Sequence, residues 1–245
     1  YALQLAYKGT NYHGWQIQPN AISVQEVLER SLSTLLREEI KVTGAGRTDT
    51  GVHARQLFAH FDTESEMEIS ETMFRLNSFL PKDIAANDLF GVKADAHARF
   101  DAIEREYQYQ LSLIKDPFLQ DFSHLAHIKP DMDQMNKAAE LLLVHQDFQC
   151  FSRSNSDVKT YNCAIKSARW EQQGSLYVFT IAADRFLRNM VRAIVGTLLD
   201  VGNGKMSLAE FKAVLESKDR TLAGASAPAQ GLFLNRISYP NSIKA

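Results

Sequence analysis

Apolar and polar residues alternate from Tyr1 to Tyr7, the period-two pattern of a half-buried strand. The period then changes. Ser23-Val24-Gln25-Glu26 has the form of a capping box, and Val24, Val27, Leu28, Leu32, Leu35 and Leu36 follow at helical spacing. Short strands are predicted near 40–43 and from about 56 to 61. A second helix is predicted over 71–80, closed by Pro81, and a strand over 84–92. The order is β-α-β-β-α-β.

The second half repeats that order. Residues 106–113 read as a strand with Tyr107, Tyr109, Leu111 and Leu113 on one face, and a helix covers 132–145. Strands over 164–171 and 176–182 are joined by a turn at Gln172-Gln173-Gly174. A long helix spans 186–201, an extra helix opens with the capping box Ser207-Leu208-Ala209-Glu210, and a last strand covers 231–239. The fold class expected is α+β. Two ferredoxin-like halves, residues 1–103 and 104–245, form a continuous antiparallel sheet with helices on one side. No Pro- or Gly-rich linker marks the joint near 103–105, so the halves are expected to form one unit with a central cleft between them.

Composition narrows the class. Of 245 residues 45% are hydrophobic, enough for one large core or two modest ones. No apolar stretch approaches the ~20 residues of a membrane span, and Tyr1 to Leu5 does not read as an apolar leader. The chain opens on Tyr1 and not on Met, so preceding residues are expected in the natural protein. Cys150 and Cys163 have no metal-ligand spacing and read as free thiols, which makes a cytoplasmic protein the expectation. A net charge of −2 runs against nucleic-acid binding until its distribution is considered. An acidic run from Asp62 to Glu71 reads as a solvated loop and helix start, and without it the chain is mildly basic.

Candidate chemistry concentrates in a few segments. Gly44-Ala45-Gly46-Arg47-Thr48-Asp49-Thr50-Gly51-Val52-His53-Ala54 joins two strands through three glycines, which permit positive φ and close backbone approach. Two readings stand: a rigid loop presenting Asp49 beside Arg47, or a hairpin loop in which Asp49 caps a turn, which spacing alone favours. The loop lacks the lysine of a phosphate-binding P-loop. Arg185, Arg188 and Arg192, three and four apart in a predicted helix, share one face, either as phosphate forks or as a solvated stripe. Gly196 lies one turn beyond Arg192, where a missing side chain lets something approach. Tyr107 and Tyr109 read as paired core aromatics, and Trp15 either stacks on a base or packs. His13, His53, His60 and His97 form no metal-binding pattern, and His53 and His60 point to opposite faces of one strand.

Taken together these segments resemble the TruA family of tRNA pseudouridine synthases. Tyr7-Lys8-Gly9-Thr10 with Tyr12-His13-Gly14-Trp15-Gln16 is similar to the family's opening, and Ser23-Val24-Gln25 to the start of its first helix. Gly46-Arg47-Thr48-Asp49 with Gly51-Val52-His53-Ala54 resembles the signature around the catalytic aspartate. His97-Ala98-Arg99-Phe100, Tyr107-Gln108-Tyr109, Phe186 to Arg192, and Ala227-Pro228-Ala229 before Gly231-Leu232 resemble later blocks. Lys8, Thr50 and Asn162-Cys163 depart from the pattern, the last pair replacing an arginine-containing stretch.

The resemblance implies a cofactor-free homodimer isomerising uridines at positions 38 to 40 of the tRNA anticodon arm. It implies Asp49, Tyr107 and Arg192 as the catalytic set, and Arg47, Arg55, Arg99, Arg185 and Arg188 as substrate contacts. Two other readings of the residues are a non-catalytic RNA-binding module, which leaves the Asp49 loop unexplained, and a carboxylate-based nucleoside hydrolase, which would release free uracil.

Overall fold

The computed structural model describes residues 1–153 and 158–243. The last two residues of the second expected half thus lie outside the described residues. Two compact units divide between Ile103 and Glu104, and the C-terminal segment from Phe233 groups with the first unit.

The first unit begins with strand β1 (Ala2–Tyr7). Helix α1 (Val24–Leu36) starts where the Ser23 hydroxyl accepts the Glu26 N–H at 3.2 Å, and ends at Arg37 in the left-handed conformation. Its apolar stripe, Val24, Val27, Leu28, Leu32 and Leu35, is buried as the periodicity requires. The strand expected over 40–43 shrinks to β2 (Thr43–Gly44). The reason is competition for donors. The Ile40 N–H goes to the Ser33 hydroxyl and the Val42 N–H to the buried Glu29 carboxylate, both on α1, so neither is left for a ladder.

Strand β3 (His53–His60), helix α2 (Ile69–Phe79) and strand β4 (Ile84–Phe90) follow. The acidic run does supply a helix start, since the Glu68 carboxylate accepts the N–H groups of Ser70 and Glu71. Strand β1 lies between β4 and β3, antiparallel to both, and β2 pairs antiparallel with the far end of β3.

The second unit contains β5 (Glu104–Ser112), the two-residue β6 (His124–Leu125), α3 (Met132–Leu143), β7 (Ile165–Gln173), β8 (Leu176–Ala183), α4 (Met190–Gly202) and α5 (Leu208–Ser217). Strand β8 runs antiparallel to β5 on one side and β7 on the other, opposing Tyr107 to Ile181 and Tyr109 to Phe179. Ser207 and Glu210 make the complete capping box of α5. Cys150 and Cys163 are buried free thiols.

Three expectations need correction. The sheet pairing is mixed, because β6 runs parallel to β5 and the final strand, β9 (Leu232–Ser238), runs parallel to β3 through His53–Phe233 and Ala54–Leu234. Most of β9 therefore belongs with the first unit and not with residues 104–232. The helix expected from residue 186 begins only at Met190. Asn189 adopts φ 64°, a left-handed conformation that asparagine tolerates and an α-helix does not continue through. Arg185 and Arg188 consequently sit in the loop before α4, and only Arg192 is helical, so the three share no helix face. Helix α4 itself is buried almost all round and is a core helix.

Candidate active site

In the first unit the connection from β2 to β3 carries Arg47, Thr48 and Asp49, and its shape is imposed by the segment after β1. The Trp15 N–H donates to the Thr48 carbonyl at 3.2 Å, and the Gly51 N–H to the Tyr12 carbonyl at 3.3 Å. The Tyr7 and Thr48 hydroxyls share a buried hydrogen bond of 2.8 Å. His53 is buried beneath the loop, its Nδ1 accepting the Gly9 N–H at 3.0 Å while its ring lies 4.8 Å from that of Phe233.

These contacts need closeness that only glycine permits. A methyl group on Gly9 would overlap the Val52 carbonyl oxygen, and one on Gly14, whose φ is +82°, would overlap that of Thr48. The turn around Asp49 is closed by its own backbone carbonyl, which accepts the Val52 N–H at 3.1 Å, with Gly51 at φ 78°. Backbone groups of the loop thus close the turn that carries Asp49. Asp49 is half-buried and Arg47 is exposed.

Asp83, in the turn before β4, had no place in the sequence reading but anchors this clamp. Its carboxylate accepts the Tyr12 hydroxyl at 2.6 Å and the Asn11 side-chain amide at 3.1 Å. Burial and the adjacent carboxylate push the Tyr12 hydroxyl well above the usual phenol range, so it remains a donor. The glycines at 9 and 14 are the only trace of this arrangement in the sequence. Trp15 is a packing residue: it is 3% exposed, its ring stacks 6.4 Å from that of Tyr7, and it lies against Gly44. Arg55, at the start of β3, donates to the Asn235 side chain at 3.1 Å and lies 4.6 Å over the Phe233 ring. Arg99 is exposed in a turn at the opposite end of β3.

In the second unit Tyr107 is half-buried on β5, with Phe186 edge-on at 5.2 Å. Tyr109, two residues on, is fully buried, and its hydroxyl donates to the Pro228 carbonyl at 3.0 Å. The pair thus divides into one core tyrosine and one accessible one. Arg192 is fixed in the first turn of α4 by its Nε, which donates to the Ala227 carbonyl at 2.7 Å, while Ala227 donates back to the Arg192 carbonyl at 2.9 Å. What approaches Gly196 is the same segment: a methyl group there would overlap the Ala225 carbonyl oxygen. Asn189 and Arg220 both donate to the Ser226 hydroxyl, completing the hold on residues 224–228. Arg185 is half-buried and Arg188 exposed, with the Arg153 N–H donating to the Arg188 carbonyl at 3.1 Å. The structure thus groups Asp49, Arg47 and Arg55 at one end of the first unit. In the second it sets Tyr107 against Phe186 and Arg192 against Ala227.

A family model described as tRNA pseudouridine synthase matches residues 4–101 and 138–240, most of the chain. The chain belongs to the tRNA pseudouridine synthase family. Proteins named tRNA pseudouridine synthase A from Porphyromonas gingivalis and Bacteroides fragilis are 51% and 50% identical to it, each covering at least 98% of this chain with 97% of their own length. The one from Chlorobaculum tepidum is 40% identical over 97% of this chain and 96% of its own. Members of this family are isomerases that convert uridine to pseudouridine in tRNA, and both glycine-clamped segments lie within the matched residues.

Proposed function

We propose that this protein isomerises uridines at positions 38 to 40 of the tRNA anticodon arm, with Asp49 as the catalytic carboxylate. The observation that supports this most is the clamped loop: backbone and hydroxyl contacts from residues 7–15 hold the segment that carries Asp49 in place. The reaction breaks the bond from ribose C1′ to uracil N1, turns the base and joins C1′ to C5. The C5 proton is lost and N1 gains one, so no atom is added overall and no redox or group-carrying cofactor is required. A carboxylate serves either by attacking C1′, giving an ester, or by removing the C2′ proton, giving a glycal.

A negative carboxylate in a closed site needs an opposing charge. Arg192, its guanidinium oriented by Ala227, fills that role in this reading. Tyr107, propped by Phe186, stacks on the uracil and helps remove the C5 proton. Extruding the target base costs a few kcal/mol, which phosphate contacts from Arg47, Arg55, Arg99, Arg185 and Arg188 offset. Two ferredoxin-like halves fit the strand order β4-β1-β3-β2 of the first unit. The reading includes a homodimer working in the cytoplasm.

The test is Asp49→Asn, which keeps the shape and removes the charge. Incubated with an unmodified tRNA transcript carrying tritium at uridine C5, the native protein is expected to release tritium and leave pseudouridine at positions 38 to 40. The variant should still bind tRNA but lose at least ~1000-fold in rate, as expected when the covalent or proton-transfer group is removed. Retained turnover by Asp49→Asn overturns the assignment. Free uracil as the product would mean a hydrolase instead.

A further inference from the structure

Phe100 is 74% exposed, and an isolated exposed apolar side chain is by itself ordinary. Its mounting is not. The turn from His97 to Asp101 uses every one of its five backbone N–H groups. His97 donates to the Asp101 carboxylate at 2.7 Å and Asp101 donates back to the His97 carbonyl at 3.0 Å. Ala98 donates to Nδ1 of His60 at 3.1 Å, while Arg99 and Phe100 both donate to Nδ1 of His97, at 3.1 and 3.3 Å. The Tyr239 hydroxyl holds the Ala98 carbonyl from the other side. The His97 ring supports that of Phe100 at 4.2 Å, and the Arg99 guanidinium lies 5.7 Å from the Phe100 ring centre.

A rigid turn therefore displays an aromatic face and a cation side by side. That pairing suits a nucleobase, which stacks on the ring while its phosphate meets the guanidinium. The turn hangs from His60 at one end of β3, and the Asp49 loop joins β3 at the other end, beside His53. Eight strand residues separate these ends by roughly 23 Å at about 3.3 Å per step. One nucleotide does not reach both.

We propose that Phe100, flanked by Arg99, is a stacking platform for an unpaired tRNA nucleobase remote from the reacting uridine. This rests on the tRNA reading above and extends it to a second contact point on the same substrate. Stacking and charge contribute differently to salt dependence, which makes the proposal testable.

Affinity for an unmodified tRNA transcript is measured over a salt series for the native protein, Phe100→Ala, Phe100→Trp and Arg99→Ala. Phe100→Ala should bind about five- to hundredfold more weakly with the salt slope of the native protein, and Phe100→Trp should restore binding. Arg99→Ala should weaken binding and lower the slope by about one. Binding of Phe100→Ala within twofold of native overturns the platform, as does a weakened Phe100→Ala that tryptophan fails to rescue. A shift in sedimenting mass caused by Phe100→Ala, with tRNA affinity intact, also overturns it and assigns the ring to a protein contact. Should the native protein neither bind nor isomerise tRNA, the tRNA reading itself fails, an outcome distinct from the loss of the platform alone.

Discussion

Replacing Gly14 with alanine tests the idea that the segment after β1 sets the position of Asp49. The new methyl carbon would overlap the Thr48 carbonyl oxygen and lie 3.1 Å from the carbonyl carbon of Asp49 itself. Restoring ordinary contact requires the backbone at residues 48 and 49 to retreat by about 1 Å. Alanine must also hold the left-handed conformation at φ +82°, which costs about 1–2 kcal/mol and lowers the melting temperature by roughly 2–8 °C in a chain of this size. A displacement of about 1 Å in a reacting group is worth about 100-fold in rate.

Gly14→Ala is therefore expected to remain folded near room temperature and to bind tRNA, but to isomerise uridine about 100-fold more slowly. The assay is single-turnover tritium release at saturating tRNA, beside a thermal melt. Gly46→Ala is the control, since a methyl group on Gly46, in the same loop, meets nothing within 4 Å. It should work at close to the native rate. A Gly14→Ala rate within threefold of native, or equal impairment of both variants, would refute the reasoning.

Other outcomes follow from individual contacts. Tyr109→Phe leaves the half-buried Pro228 carbonyl without this donor, at a cost of about 0.5–1.5 kcal/mol, so the melting temperature should fall by a few degrees; an unchanged melt would make that bond irrelevant. Arg188→Ala should weaken tRNA binding and flatten its dependence on salt by about one unit of slope, and an unaltered slope would put Arg188 outside the interface. Burial pushes the thiols of Cys150 and Cys163 up to about 12. Thiolate is the reactive form, so iodoacetamide near pH 8 should label neither cysteine in the native protein and both after unfolding, as read by mass spectrometry.

Much of the architecture was written in periodicity and local chemistry. The alternation of Tyr1 to Tyr7, the stripe of α1 and the caps at Ser23 and Ser207 all depend on residues close together in the chain. The glycine-rich loop with Asp49 stood out for the same reason. What escaped was decided by partners distant in sequence. The 40–43 strand lost its donors to Ser33 and Glu29, and residues 185–188 were kept out of α4 by the left-handed Asn189, tied to Ser226. Strand β9 took a parallel place beside β3.

The site divides in the same way. That residue 49 is an aspartate flanked by glycines belongs to the sequence alone, and so does the family likeness. That its loop is gripped by Tyr7, Tyr12 and Trp15, with Asp83 anchoring the grip, emerged only in three dimensions. The physical reason is that each backbone N–H and C=O must find a partner once water is excluded, and several candidates are sterically acceptable within the local chain. Local pattern restricts that choice, and tertiary packing makes it.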